Sequence, residues 1–386
     1  MIESSIVPSR RTAFAGIVAI TAGLVCFLLF TGLSFLDLAA TVAGGGARLQ
    51  LLSAVLGGGG IAGSLLAARR FDLGHFSPAL GNAFRACGVA AALALVAQAW
   101  WVFLLTAGAV GLSLGWVVVT LAVGLRSILG TARLGRYIGM AIGVAYALCS
   151  LPWIFAASPW TQLLLAGAAA VIGALAAPWL WPRSPSQSSS PDYAPRVGLL
   201  WVAIFLALVW LDTVIFQVVL HTPALKAGGW SGVWKLGGNS GVYLVAALLA
   251  GRALDHGWLG RLQVVAFALL AGAVVFLDEK WRIFLLAQVG YAAGVSIYST
   301  ALVYYAARSG RPLLVGLLVA VAGWGGCILG PGVVQERAQV PCAFLIAAGA
   351  VIAVALGLRT WWQRPTAGIA GAATPEPNEP VAGSLR

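Results

Sequence analysis

The sequence predicts an all-α polytopic membrane protein with about twelve transmembrane helices, arranged as two pseudo-symmetric six-helix bundles. Three observations carry this. Of the 386 residues, 61% are hydrophobic and 9% charged, whereas a soluble domain carries about 25% charged residues. Roughly twelve apolar stretches reach the length of about 20 residues that a helix needs to cross a bilayer. Finally, the decapeptide LLAARRFDLG at Leu65–Gly74 returns as LLAGRALDHG at Leu248–Gly257. The runs are continuously apolar, which excludes barrel strands of alternating polarity.

Taken in order, the first-half spans are expected to start near Ala13, Leu49, Ala79, Trp101, Arg136 and Trp160. Span one follows Ser9-Arg10-Arg11, which has the look of a twin-arginine export signal. Its apolar run is too long for the core of a cleaved signal, so it reads as a membrane span. Span two carries Gly57-Gly58-Gly59-Gly60 and Gly63, hence Gly59-xxx-Gly63, a pattern that lets helices approach closely. A phosphate-binding loop would need a strand before it and a Lys after it.

Pro182 to Val197 reads PRSPSQSSSPDYAPRV, the composition of a flexible polar linker. It sets the expected organisation: a six-helix bundle over 1–181, a cytoplasmic linker over 182–197, a second bundle over 198–362, and a disordered tail over 363–386. The second-half spans are expected near Gly198, Trp234, Leu262, Phe284, Pro312 and Cys342. A second echo supports the duplication. Arg133-Leu-Gly-Arg136 opens span five and Arg308-Ser-Gly-Arg311 opens span eleven, each ahead of a Gly-rich helix with a Pro toward its far end (Pro152, Pro331).

A cytoplasmic amino terminus and alternating spans put 17 of the 23 Lys and Arg in cytoplasmic segments, leaving Arg48, Lys226, Lys235, Lys280, Arg282 and Arg337 as the 6 outside. The opposite orientation would invert the positive-inside rule. The net charge of +12 is therefore topology, and a nucleic-acid partner is excluded. The expectation is a monomer in the plasma membrane (the inner membrane of a bacterium) with both termini cytoplasmic and the lipid bilayer as partner.

The 5 Cys show no CxxC spacing, the 3 His are scattered through loops, and there are only 2 Met. No metal site, redox pair or cofactor is indicated.

Polar residues inside the spans carry the functional expectations. Asp212 stands within Leu199 to Leu220, about 24 Å along the axis from Arg196. An acid at that depth is costly and by default marks function, which makes it the candidate coupling site. Gln217 follows on the same helix. Asp37 lies about 39 Å beyond Arg11 and is assigned to an outer loop. Gln288, Tyr291, Tyr298 and Tyr305 share one face of span ten, with Ser296, Ser299 and Thr300 nearby. Tyr305 fits an interfacial belt, while Tyr291 and Tyr298 lie deeper. Span eight adds Asn239 and Tyr243 one turn apart. Arg85 and Arg126, near cytoplasmic ends, are expected to snorkel. An aromatic cavity with hydroxyls and one carboxylate suits a small, modestly polar or amphipathic organic solute, not a multiply charged phosphate compound.

With these residues in place, the chain resembles the major facilitator superfamily of secondary transporters. The family's halves are related by an axis along the membrane normal, with a site between them at mid-depth. Its loop between spans two and three has the form G-x-L-A-D-R-x-G-R. Gly251-Arg252-Ala253-Leu254-Asp255-His256-Gly257 is similar, and Ala68-Arg69-Arg70-Phe71-Asp72-Leu73-Gly74 more loosely so. Each loop is one residue shorter between Asp and Gly, Leu73 or His256 replaces the Arg after the Asp, and Ala68 replaces the first Gly. In the family, this Asp caps the facing helix of the other half when the transporter is closed to the cytoplasm. The resemblance therefore implies a latch of Arg69, Asp72, Arg136, Arg252, Asp255 and Arg311. Asp72 would meet the start of span eleven near Gly310 and Arg311, and Asp255 the start of span five near Gly135 and Arg136. It further implies alternating access, with protons as the candidate coupling ion.

Two rival readings stand beside it. One is a transporter-like scaffold or assembly factor that moves nothing. The other is remote: Gly238-Asn239-Ser240-Gly241 has the GxSG form of rhomboid-type intramembrane proteases, but no later span carries the His those enzymes place inside a helix. The chain is read as no enzyme.

Overall fold

A computed structural model describes residues 8–43, 46–181, 195–277, 283–328 and 340–362. Most of the linker at 182–197, the tail at 363–386 and Gly330-Pro331-Gly332 lie outside the described residues. All the regular elements among the described residues are helices.

Among the described residues, ten helices are long and apolar enough to cross a membrane: Arg10–Val42, Ala47–Arg69, Leu73–Val96, Trp100–Leu129, Pro159–Trp179, Gly198–Leu220, Val233–Asp255, Leu259–Leu277, Phe284–Ser309 and Cys342–Trp361. These are spans one to four, six to ten and twelve. Spans five and eleven are, among the described residues, the shorter apolar helices Leu134–Cys149 and Pro312–Ile328, which agrees with the expected total of about twelve. Span five stops where Leu151 turns extended, with φ −61° and ψ 138°, and resumes as the single turn Pro152–Phe155. The residue before a proline is pushed out of the helical region by the proline ring, so the break follows from Pro152. In span eleven, Val319–Gly325 is wound as a π-helix, an uncommon turn that favours functional sites.

Span one contains a π-turn as well, at Leu29–Leu33. The helix then continues as Phe35–Ala43, and Asp37 is exposed on that extension. The expectation of an outer loop at Asp37 is therefore corrected: the apolar run from Phe35 to Ala43 stays helical.

The two halves repeat one packing scheme. In the first, span two packs on four, three on four and six, and one on five and six. In the second, eight packs on ten, nine on ten and twelve, and seven on eleven and twelve, each pair shifted by six spans. The halves meet through spans five and eight and through their counterparts eleven and two. Small residues permit both kinds of contact. A Cβ on Gly63 would stand 2.1 Å from the Leu112 carbonyl oxygen inside the first half. A Cβ on Gly135 would stand 2.2 Å from the Gly251 carbonyl oxygen across the halves.

Large aromatics remain exposed at the ends of the spans. Trp179, Trp181, Trp258 and Trp361 ring the end that carries Asp72 and Asp255, the motif end. Trp101, Trp153, Trp160 and Trp234 ring the far end. Two such girdles are the pattern of indole rings settled at the two membrane–water interfaces.

Candidate functional site

The site is built in two layers. At the motif end, span eight runs helical through Asp255, so its carboxylate projects from the last turn onto span five. Oδ1 accepts a hydrogen bond from the Gly135 N–H at 2.7 Å, and Oδ2 accepts one from the Arg136 N–H at 3.2 Å. The Arg136 guanidinium stands 3.6 Å from Oδ2, and the Asp255 side chain is only 6% exposed. Unpaired N–H groups at a helix start carry partial positive charge, so a carboxylate is stabilised there.

Asp72, at the matching position of the repeat, is held differently. Span two ends at Arg69, three residues before it, and Asp72 caps the short turn Leu73–His75 of its own loop. It accepts from the Gly74 N–H at 3.0 Å and pairs with His75 Nδ1 at 2.6 Å. Those contacts, His75 first, hold its carboxyl below the usual range. The expectation that Asp72 meets Gly310 and Arg311 is corrected on this geometry, and the earlier stop of the helix is the reason. At the equivalent junction Arg126 of span four reaches across instead, its Nη1 donating to the Arg308 carbonyl at 3.3 Å. Snorkelling thus does not describe Arg126. Arg85 is exposed and donates to Asn82 Oδ1 at 2.9 Å. Arg69 and Arg252 are exposed, and Arg311 precedes span eleven as its N-cap residue.

The second layer lies at mid-depth. Tyr146, Tyr243, Tyr298 and Trp324 each stand about 17 to 18 Å from the motif end of their own helices. Asp212 on span seven lies farther from the motif end, about 21 Å from Gly198 along its helix, between the heights of Tyr298 and Tyr291 on span ten. Tyr291 Oη donates to Asp212 Oδ1 at 2.6 Å, and Tyr298 Oη donates to Oδ2. The carboxylate is thus bridged by two hydroxyls spaced two turns apart on span ten, and it stays partly accessible. Tyr146 of the first half stacks on Tyr243 of the second, with ring centroids 5.1 Å apart and planes 10° from parallel. Its hydroxyl shares a hydrogen bond of 2.9 Å with Ser299. Trp230 stands edge-on to Tyr291 at 5.9 Å. Thr213 Oγ1 lies 4.0 Å from Cys327 Sγ, which brings span eleven beside Asp212's own turn. Trp324, on the π-turn, packs edge-to-face on Phe27 of span one at 5.3 Å and fills the notch left by Gly60 of span two.

Of the expected site residues, the structure brings Asp212, Tyr291 and Tyr298 into direct contact. Asn239 is buried one turn from Tyr243 on span eight. Gln288 is drawn away, its Nε2 donating to the Lys235 carbonyl at 3.0 Å. Gln217 lies one and a half turns beyond Asp212 and is partly buried. Tyr305 is no interfacial residue: it is 1% exposed and packs on Trp201 and Phe205. The sequence analysis misses Tyr146 and Trp230. A Tyr deep in a Gly-rich apolar span is a visible signal for the first, but its partners Tyr243 and Ser299 are set by topology alone. Ser240 of the GxSG segment donates back to the Leu236 carbonyl of its own helix at 3.1 Å, with no partner for nucleophilic work.

Neither a protein-family model nor a curated protein matches the chain. Among solved structures, the crystal structure of the human organic anion transporter MFSD10 (TETRAN) is similar, with a TM-score of 0.62 and 16% sequence identity over 91% of this chain and 99% of that one. The fold is MFS-like. In this MFS-like arrangement the Asp255 contact joins the halves at the motif end, and the Asp212 layer sits where the halves meet at mid-depth.

Proposed function

We propose that the protein is a secondary transporter that moves a small, modestly polar or amphipathic organic solute by alternating access, with protons as coupling ion. The observation that carries the reading is Asp212, bridged by Tyr291 and Tyr298 at mid-depth between the two halves. A carboxylate there can gain or lose a proton as the layer opens to one side or the other. Unequal affinity in two states is what couples a ligand to a conformational equilibrium. The Asp255 contact with the start of span five supports the same reading, because it exists only while the motif end is closed. In this proposal the halves are 1–181 and 198–362, the motif end and both termini face the cytoplasm, and the membrane is a plasma membrane.

The test is reconstitution into proteoliposomes with an imposed pH gradient and a panel of small organic solutes. Asp212→Asn keeps the shape and removes the titration. It is expected to abolish pH-driven accumulation while leaving exchange of solute across the membrane partly intact. Accumulation by Asp212→Asn equal to that of the parent would remove proton coupling at this residue. No flux of any solute by the parent would favour the scaffold reading.

A further inference from the structure

We propose that the solute taken at the mid-depth layer is a monovalent organic cation, held by Asp212 and by the faces of the surrounding aromatic rings. The inference rests on the transporter reading of this layer and names its substrate class.

The charge arrangement is the first ground. Asp212 is the acid of this layer among the described residues, and the ion pairs found among them, His75–Asp72 and Arg136–Asp255, do not involve it. On the short helix Pro223–Gly229, which packs on spans seven and ten, Lys226 is exposed. On span eight, Lys235 is exposed at the far end, its Nζ donating to the Ala227 and Gly228 carbonyls at 3.3 and 2.6 Å. Arg252 of the same span is exposed at the motif end. On span five, Arg136 is committed to Asp255. On span ten, Arg308 donates to Tyr304 Oη at 2.7 Å, at the motif end. On span twelve, Arg359 lies over the Trp201 ring at 5.0 Å, again at the motif end. The described part of span eleven, Pro312–Ile328, has no ionisable side chain other than Cys327. A carboxylate away from water is stable when protonated or when paired with a cation. An anionic solute would be repelled by the ionised carboxylate.

The walls are the second ground. Tyr146 and Tyr243 present a stacked pair across the halves, Tyr291 and Tyr298 of span ten hold the carboxylate, and Trp230 stands edge-on behind Tyr291. Aromatic faces attract cations through the ring quadrupole, more strongly when desolvated, and such cages recognise alkylated ammonium groups. A polyhydroxylated neutral solute suits these walls poorly, because the hydroxyls of Tyr146, Tyr291, Tyr298 and Ser299 already bond within the protein.

The experiment compares three probes of one size and shape class on the purified full chain in nanodiscs: phenyltrimethylammonium, its neutral isostere tert-butylbenzene, and benzenesulfonate. Binding is read by thermal shift against protein-free discs. The cation is expected to bind about tenfold or more tightly than the neutral isostere, the anion least, and cation affinity is expected to weaken as the pH is lowered. Asp212→Asn should reduce the preference for the cation to the smaller part that the rings supply, and Asp212→Glu should restore it. Equal or tighter binding of the neutral or anionic probe to the parent, absence of cation binding, or a preference undiminished by Asp212→Asn would overturn the inference. Flux is measured separately. Asp212-dependent cation binding without flux would sustain the site and remove the transporter reading. Asp212-independent flux of an anionic or neutral solute would do the reverse.

Discussion

Asp255 and Asp72 occupy matching places in the repeat and meet different partners. Asp255 takes two backbone N–H groups of the other half, while Asp72 takes one from its own loop together with His75. Hydrogen bonds to a charged group contribute about 1.5–3 kcal/mol. Asp255→Ala is therefore expected to weaken the closed motif end by about that amount, read as faster amide exchange at Gly135 and Arg136. Asp72→Ala should leave those amides unchanged, since its carboxylate is exposed and local. The depressed pKa of Asp72 means its small contribution is present at neutral pH and disappears as pH falls through the acid range. The Asp72 contacts are therefore expected to loosen as pH falls through the acid range, read as a falling protection factor at the Gly74 amide.

At the scale of elements, glycine contacts serve two purposes that substitution should separate. Gly63 lies against Leu112 within one half, and Gly135 lies against Gly251 between halves. Overpacking costs about 1–3 kcal/mol. Gly63→Ala is expected to lower the unfolding temperature in every condition. Gly135→Ala should spare the stability of each half and instead hold the motif end open, measured as faster amide exchange at Arg136. Had both variants equal effects on unfolding and on that exchange, the distinction would fail. Apolar length placed the helices well in the sequence, because burial in lipid demands it wherever a run is long enough. The break at Leu151 was less legible, although Pro152 contains its cause. The π-turns at Leu29–Leu33 and Val319–Gly325 left no composition mark at all. The same holds for the site: Asp212 and the tyrosine face of span ten follow from depth and spacing. Tyr146 and the loss of Gln288 to Lys235 depend on which helices become neighbours, and one helix's periodicity cannot supply that.

For the whole molecule, the shifted-by-six packing scheme ties spans five and eight to spans eleven and two as equivalent seams. Orientation can be tested on a cysteine-free background. A cysteine at Ser188 is expected to label only from the cytoplasm and one at Ser231 only from outside, and reversed labelling would invert the topology. The paired Trp girdles make the same statement about depth without a sign, since they mark both interfaces alike.

The two seams are equivalent in packing but not in fastening, and this bears on redundancy. A duplicated loop ordinarily offers a spare, so that loss of one copy is partly covered by the other. Here the first-half loop is closed on itself by His75 and Gly74 and offers no spare carboxylate across the halves. Substituting both aspartates should then cost no more than substituting Asp255 alone, a cycle with no interaction term. Of the two repeated carboxylates, Asp255 is the one that fastens the halves in the described structure, so substitution at residue 255 is expected to loosen the motif end more than substitution at residue 72.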